Sequence, residues 1–298
     1  MKRIYLTLCA ITIAIAQSWA CTNLIVGRHA STDGSTIVSY SADSYGLFGE
    51  LYHYPAGTHA KGTMRPVHEW DTGKYLGEIP EARTTYNVIG NMNEHQLTIT
   101  ETTFGGREEL VDTTGIIDYG SLIYIALQRS KSAREAIQVM TDLVQEYGYY
   151  SSGESFTIAD PREVWAMEMI GKGVGVQGAV WVAVRIPDDC ISAHANQARI
   201  RKFNMKDKEN VRYSKDVIKF ARKMGYFDGK DEDFDFAAAY CPADFGGLRY
   251  CDARVWSFFN MFGAEEMTKY LPWASGDATA EPMPLYMKPK APVSLQDM

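Results

Sequence analysis

Two blocks of strand-like sequence enclose a single pair of helices, and that order narrows the possible folds more than any other feature of this chain. "TNLIVGR" and "STIVSYS", rich in β-branched residues and joined by the turn-forming "HASTDG", read as a hairpin that starts at Cys21. Residues 84–90 and 95–101 are further strand candidates. Apolar residues then recur at helical spacing in "IIDYGSLIYIALQRS" and "SAREAIQVMTDLVQEYG", the second stopped by Gly148. Strands return in "ESFTIAD", "EVWAMEM", "AVWVAVRI" and "CISAHAN", and a last helix is expected over about 214–223, before the loop "PADFGGLRY". Elements with one apolar face must cover one another, so the order predicts an α+β fold, with two antiparallel sheets packed face to face and helices outside. From Leu271 onward five prolines interrupt any pattern, and the tail is expected to run extended or mobile.

The first twenty residues read as an export signal: Lys2 and Arg3 lead an apolar stretch, and Ser18-Trp19-Ala20 offers small residues to a signal peptidase. That stretch is too short to span a bilayer, and no later segment is apolar enough to do so. Cleavage leaves 278 residues beginning at Cys21, enough for a proper core. It also moves the net charge from −7 to −9, a balance that disfavours nucleic acid as a partner. The basic "RIRKFNMKDK" and the acidic "DGKDEDFD" both read as solvated surface segments, the latter without the spacing of a calcium loop. Four cysteines remain after cleavage, too few for a disulfide scaffold; Cys241 and Cys251 flank a loop and either pair or stay free. No CxxC pair or HExxH helix is present, so neither metal nor other cofactor is expected.

A cysteine at a cleavage site has two fates. It can be acylated as a lipoprotein anchor, although Ser18 and the bulky Trp19 fit such a signal poorly, or it can be left with a free thiol and α-amine. The amine titrates near about 8 and the thiol near about 8.5, so nucleophile and base come as one unit. Such a site needs a carboxylate to orient the amine, donors for an oxyanion and a cation beside the thiol. Asp43, at the end of the hairpin's second strand, Asn196, at the exit of a late strand, and Arg254 are the candidates. Each also has a plainer reading: a turn cap for Asp43, a cap for Asn196, a surface ion pair with Asp252 or Asp244 for Arg254. His194, beside an apolar strand, reads as a structural histidine and not a base.

Taken together, "CTNLIVGRHASTDGSTIVSYSADS", "NMNEHQLTITETTFGG", "FTIADPREVWAMEM", "WVAVRIPDD" and "SAHANQARI" resemble the secreted dipeptidases of peptidase family C69. These are N-terminal nucleophile hydrolases, more distantly similar to penicillin V acylase and bile salt hydrolase. The resemblance implies a four-layer αββα sandwich over residues 21–270, following the signal at 1–20 and followed by the tail at 271–298. It implies that Cys21 attacks dipeptides through a thioester, its amine held by Asp43, with Asn196 and a backbone N–H near Thr103 binding the oxyanion and Arg254 beside them. Glu101 is the expected partner of the substrate's ammonium. Acylase relatives carry an arginine three residues before the catalytic Asp, where this chain has Tyr40, so Arg28 or Arg254 is expected to supply the cation. The family's members continue well past this point, and the stop at Met298 reads as a fragment or a shortened variant. An amidase for bulky acyl groups and a non-catalytic lipoprotein acylated at Cys21 are the rival functions. Oligomeric state is left open.

Overall fold

The computed structural model describes residues 21–43 and 49–298; the export signal read in residues 1–20 lies outside the described residues. The opening hairpin forms as expected, with β1 (Thr22–Val26) antiparallel to β2 (Ile37–Ser41) and Asn23 opposite Tyr40. β1 is also the centre of a four-stranded sheet. Its other neighbour is the late strand Ile191–His194, which in turn pairs with Tyr286–Met287, so the two ends of the described chain are drawn into one sheet.

A larger, eight-stranded antiparallel sheet is built from the middle of the chain. Its long strands are β3 (Thr98–Gly105), β4 (Gly153–Ala159), β5 (Val164–Gly171) and β6 (Ala179–Ile186), in that spatial order. The segment expected as strand 84–90 is broken into two short pieces, Thr84–Thr85 and Val88–Ile89; a further short strand, Met92–Asn93, follows, and the strand expected over 95–101 starts at Thr98 instead of His95. β3 pairs along its whole length with β4, but its pairing to Met92 on the other side is confined to Thr98. From Thr100 onward that edge is free for other contacts.

Helices α1 (Tyr119–Arg129) and α2 (Ala133–Tyr147) form where the periodicity placed them. The Asp118 carboxylate accepts from the Gly120 and Ser121 N–H groups and Ser132 Oγ accepts from Glu135 N–H, satisfying donors that a helix start leaves orphaned. Gly148 ends α2 at φ 77°, a left-handed conformation that glycine adopts without a Cβ clash. The pair covers one face of the larger sheet, where Trp165, Met167 and Met169 of β5 meet Leu122, Ile125 and Met140. The alternate residues Val164, Ala166 and Ile170 face the other way, into a core shared with Ile25 of β1 and Phe236 and Tyr240. A third core joins Val26, Ile191 and Ala193 of the smaller sheet to Val255, Phe258 and Phe259.

That last contact belongs to a helix the sequence reading missed. After α3 (Val217–Lys223), the expected "PADFGGLRY" loop is largely a π-helical turn, Gly247–Asp252, which runs into α4 (Ala253–Gly263). Neighbouring glycines disguised it, since each costs about 1 kcal/mol in a helix and reads as a turn signal. The 271–298 stretch is extended for much of its length but is anchored, with Trp273 buried against α4's core and Val293 bridged to Ser31. Cys241 and Cys251 are both free thiols. Arg199, expected at the surface, is instead fully enclosed, 3.5 Å from Asp252 and beside Glu168.

Candidate active site

Cys21 stands at the head of β1 with 4% of its surface exposed. Burial first, then the charge of Glu101, push its thiol up to about 11, opposed by the Asp43 backbone N–H and by Arg254. The thiol therefore has partners of both signs within electrostatic reach.

Arg254 is the residue that ties the site together. Because the π-helical turn inserts an extra residue just before α4, Arg254 faces the smaller sheet instead of solvent. One guanidinium nitrogen donates to the Cys21 carbonyl at 2.6 Å and to Thr22 Oγ1 at 2.7 Å; the other donates to the Ala195 carbonyl at 3.0 Å and to Asn196 Oδ1 at 2.9 Å. A planar fork of donors suits such a junction better than an ammonium would. The plainer reading of Arg254, a surface ion pair with Asp252 or Asp244, is not found among the described residues; Asp252 takes Trp273 Nε1–H and lies beside Arg199. Arg28, the other candidate cation, is bound to Asp188 at 2.8 Å, and no contact links it to Cys21 among the described residues.

Asn196 follows the strand Ile191–His194 with φ 61°, a left-handed backbone that asparagine tolerates better than most residues. The turn aims its amide at β3, where Nδ2 donates to the Thr103 carbonyl at 2.7 Å. With Oδ1 held by Arg254, the amide orientation is fixed from both ends. Thr103 itself is buried, and its hydroxyl donates to Glu154 Oε1 at 2.7 Å. Asp43 lies at the mouth of the site, exposed, its Oδ1 accepting from Ser41 Oγ at 3.0 Å.

Glu101 is almost wholly enclosed, with 3% exposure, and its Oε1 accepts from Tyr40 Oη–H at 2.6 Å. The open edge of β3 lets Tyr40 reach it from the smaller sheet. Tyr40, three residues before Asp43, thus binds an acid instead of supplying a cation. Glu154, on β4, is the site-lining residue the sequence reading passed over; it is the one charged residue of the strand "GESFTIA", and that was the available signal. His194 lies away from the thiol, between Thr102 Oγ1 at 2.7 Å and Thr157 Oγ1 at 2.8 Å, and burial holds it down at about 3. It is neutral and structural.

A surface depression of about 900 Å³ lined by Phe203, Pro284 and Tyr286 contains none of these residues. Among the described residues no helix is long and apolar enough to cross a membrane, and no group of His, Cys, Asp and Glu has the arrangement of a metal site.

The chain matches peptidase family C69 over residues 20–53 and 50–298. It is 29% identical to a probable dipeptidase of Salmonella dublin across 99% of this chain and 68% of that protein. It is also 28% identical to a probable dipeptidase of Latilactobacillus sakei and 25% identical to a probable dipeptidase B of Streptococcus pyogenes serotype M1. In the latter two comparisons it spans about half the relative's length, 52% and 47%. Since the family match runs through nearly every described residue and starts beside Cys21, this chain belongs to peptidase family C69.

Proposed function

We propose that this protein is an exported dipeptidase of the N-terminal nucleophile type, working in the periplasm or outside the cell. The layering of helix pair, two sheets and α4 is then the αββα sandwich of that class. The observation that carries the reading is the convergence on Cys21 of Arg254, Asn196 and Thr103 from three distant parts of the chain, joined by hydrogen bonds of 2.6 to 2.9 Å.

With residue 20 attached, the Cys21 nitrogen is an amide and cannot serve the thiol as a base. Cleavage after Ala20 turns that nitrogen into an amine titrating near about 8, oriented by Asp43. The amine takes the thiol proton, and sulfur attacks the dipeptide carbonyl. Asn196 Nδ2 has two hydrogens and gives one to Thr103, so the second, with a backbone N–H near Thr103, serves the oxyanion. The proton then passes from the ammonium to the leaving amino acid, leaving a thioester. Water, deprotonated by the same amine, attacks the thioester and releases the first amino acid. Arg254 contacts the Cys21 carbonyl and holds Asn196 in register, a positioning role. Glu101 receives the substrate's ammonium.

The test is hydrolysis of free dipeptides by the secreted protein and its Cys21→Ala variant. A fall in turnover of more than about a thousandfold is expected for the variant. Undiminished hydrolysis in Cys21→Ala would overturn the mechanism, and cleavage of bulky acyl amides with no action on dipeptides would overturn the substrate class.

A further inference from the structure

Glu101 and Glu154 stand on neighbouring strands of the larger sheet, where Glu154 lies opposite Thr103 and so diagonal to Glu101. Each is fixed by one hydroxyl, Tyr40 for Glu101 and Thr103 for Glu154. The second oxygen of each, Oε2, is buried and reached by no donor of another residue, and the two carboxyls lie within hydrogen-bonding reach of one another; exposure is only 3% and 1%. Among the described residues neither forms an ion pair. The groups that face them are Cys21, Tyr40 from β2, Asp71 from the 64–80 hairpin, Tyr119 from α1, and Tyr149, none of them a cation. Burying two carboxyls without a cation is costly, and two like charges this close cannot both persist. Burial raises both; the charge of Glu101 raises Glu154 further, whereas hydrogen bonds from Tyr40 and Glu154 oppose the rise of Glu101.

The position of the pair relative to the thiol narrows the missing cation. In a dipeptide the α-nitrogen lies two bonds from the carbonyl that sulfur attacks, only about 2.5 Å away. Its counter-ion must therefore be the acid nearest Cys21, and Glu101 is the carboxylate whose charge acts most on that thiol. Resting on the dipeptidase reading, we infer that Glu101 and Glu154 form one receptor for the substrate's α-ammonium, sharing a single proton when empty and releasing it to solvent when the ammonium binds. The balance is one ammonium gained and one proton lost, with both carboxyls ionised in the complex. Glu154 is thus a specificity-determining residue that acts through Glu101.

Binding that expels a proton must strengthen as pH rises, by up to tenfold per unit until the pair is already ionised when empty. The experiment measures KM and kcat between pH 5 and 8 for L-alanyl-L-alanine and its N-acetyl derivative, in the secreted wild type, Glu154→Gln and Glu101→Gln. The wild-type KM for the free dipeptide should rise steeply on the acid side, with the acetylated compound a poor substrate. Glu154→Gln should flatten that rise, and Glu101→Gln should raise KM at least tenfold while kcat changes less. A wild type that cleaves the free dipeptide with a pH-independent KM, or cleaves the acetylated compound equally well, would overturn the inference and leave the dipeptidase reading standing; this arm requires no variant to fold. Hydrolysis of neither compound would overturn both.

Discussion

The two faces of β3 bury polar groups in opposite ways. On the face towards the smaller sheet, Thr100 bonds the Asn23 side chain and Thr102 bonds His194, whose second nitrogen meets Thr157. Every member of that cluster has its partner, and the histidine is neutral. On the other face the second oxygens of Glu101 and Glu154, the latter reached through Thr103, have only each other. A fully satisfied buried network fixes the packing of two sheets, whereas two buried acids that must share a proton can exchange it for a bound cation. One strand thus separates a structural centre from a receptive one, and the receptive one is beside the thiol.

Disrupting the satisfied face should cost the most. His194→Ala removes a buried ring and strands two threonine hydroxyls, and is expected to lower unfolding free energy by about 3–5 kcal/mol in denaturant titrations. Turnover per folded molecule should survive; a stable variant without activity would refute the division between the faces. Asn196→Ala should do the reverse, reducing kcat/KM by roughly a hundred- to a thousandfold, about 3 kcal/mol of transition-state stabilisation, because an oxyanion donor is lost. Retained turnover with lost stability would make Asn196 merely structural.

Acid titration sharpens the contrast further. A histidine held at about 3 in the fold but near 6.5 when unfolded takes up its proton only on unfolding between those values. Its contribution is therefore intact above pH 6.5 and lost as pH falls, at about 1.4 kcal/mol per unit, reaching its limit near pH 3. The wild type should weaken in acid relative to His194→Gln; parallel stability curves would contradict a neutral buried His194. The smallest effect is expected from Glu154→Gln, which keeps an acceptor for Thr103 but removes a charge from the receptive face. Its thermal unfolding at pH 7 should match the wild type or gain about 1 kcal/mol, and a loss of several would mean the acid pair stabilises the fold.

Much of this was legible in the sequence. The hairpin at Cys21, the helix pair and the four later strands follow from period and turn residues, because each is amphipathic or bounded by strong breakers. Cys21, Asp43, Asn196 and Arg254 were nameable because each residue type suits one part of the chemistry. What could not be read was which residues tertiary contact would surround. Nothing in "RIRK" shows that, of its three basic residues, only Arg199 is buried, and the glycines before Arg254 conceal the helix that carries it. Glu154 looked like one acid in a strand because its significance lies in Glu101, across the sheet and 53 residues away in sequence.

The account turns on Cys21 becoming an N-terminal nucleophile, and the most direct measurement is the intact mass of the secreted, dipeptide-hydrolysing protein before and after stoichiometric alkylation. The predicted result is a chain starting at an unmodified Cys21 that gains one alkyl group there and loses its activity in proportion. A protein that hydrolyses dipeptides while its Cys21 is still joined to Ala20, or is blocked by lipid or alkyl, would contradict it.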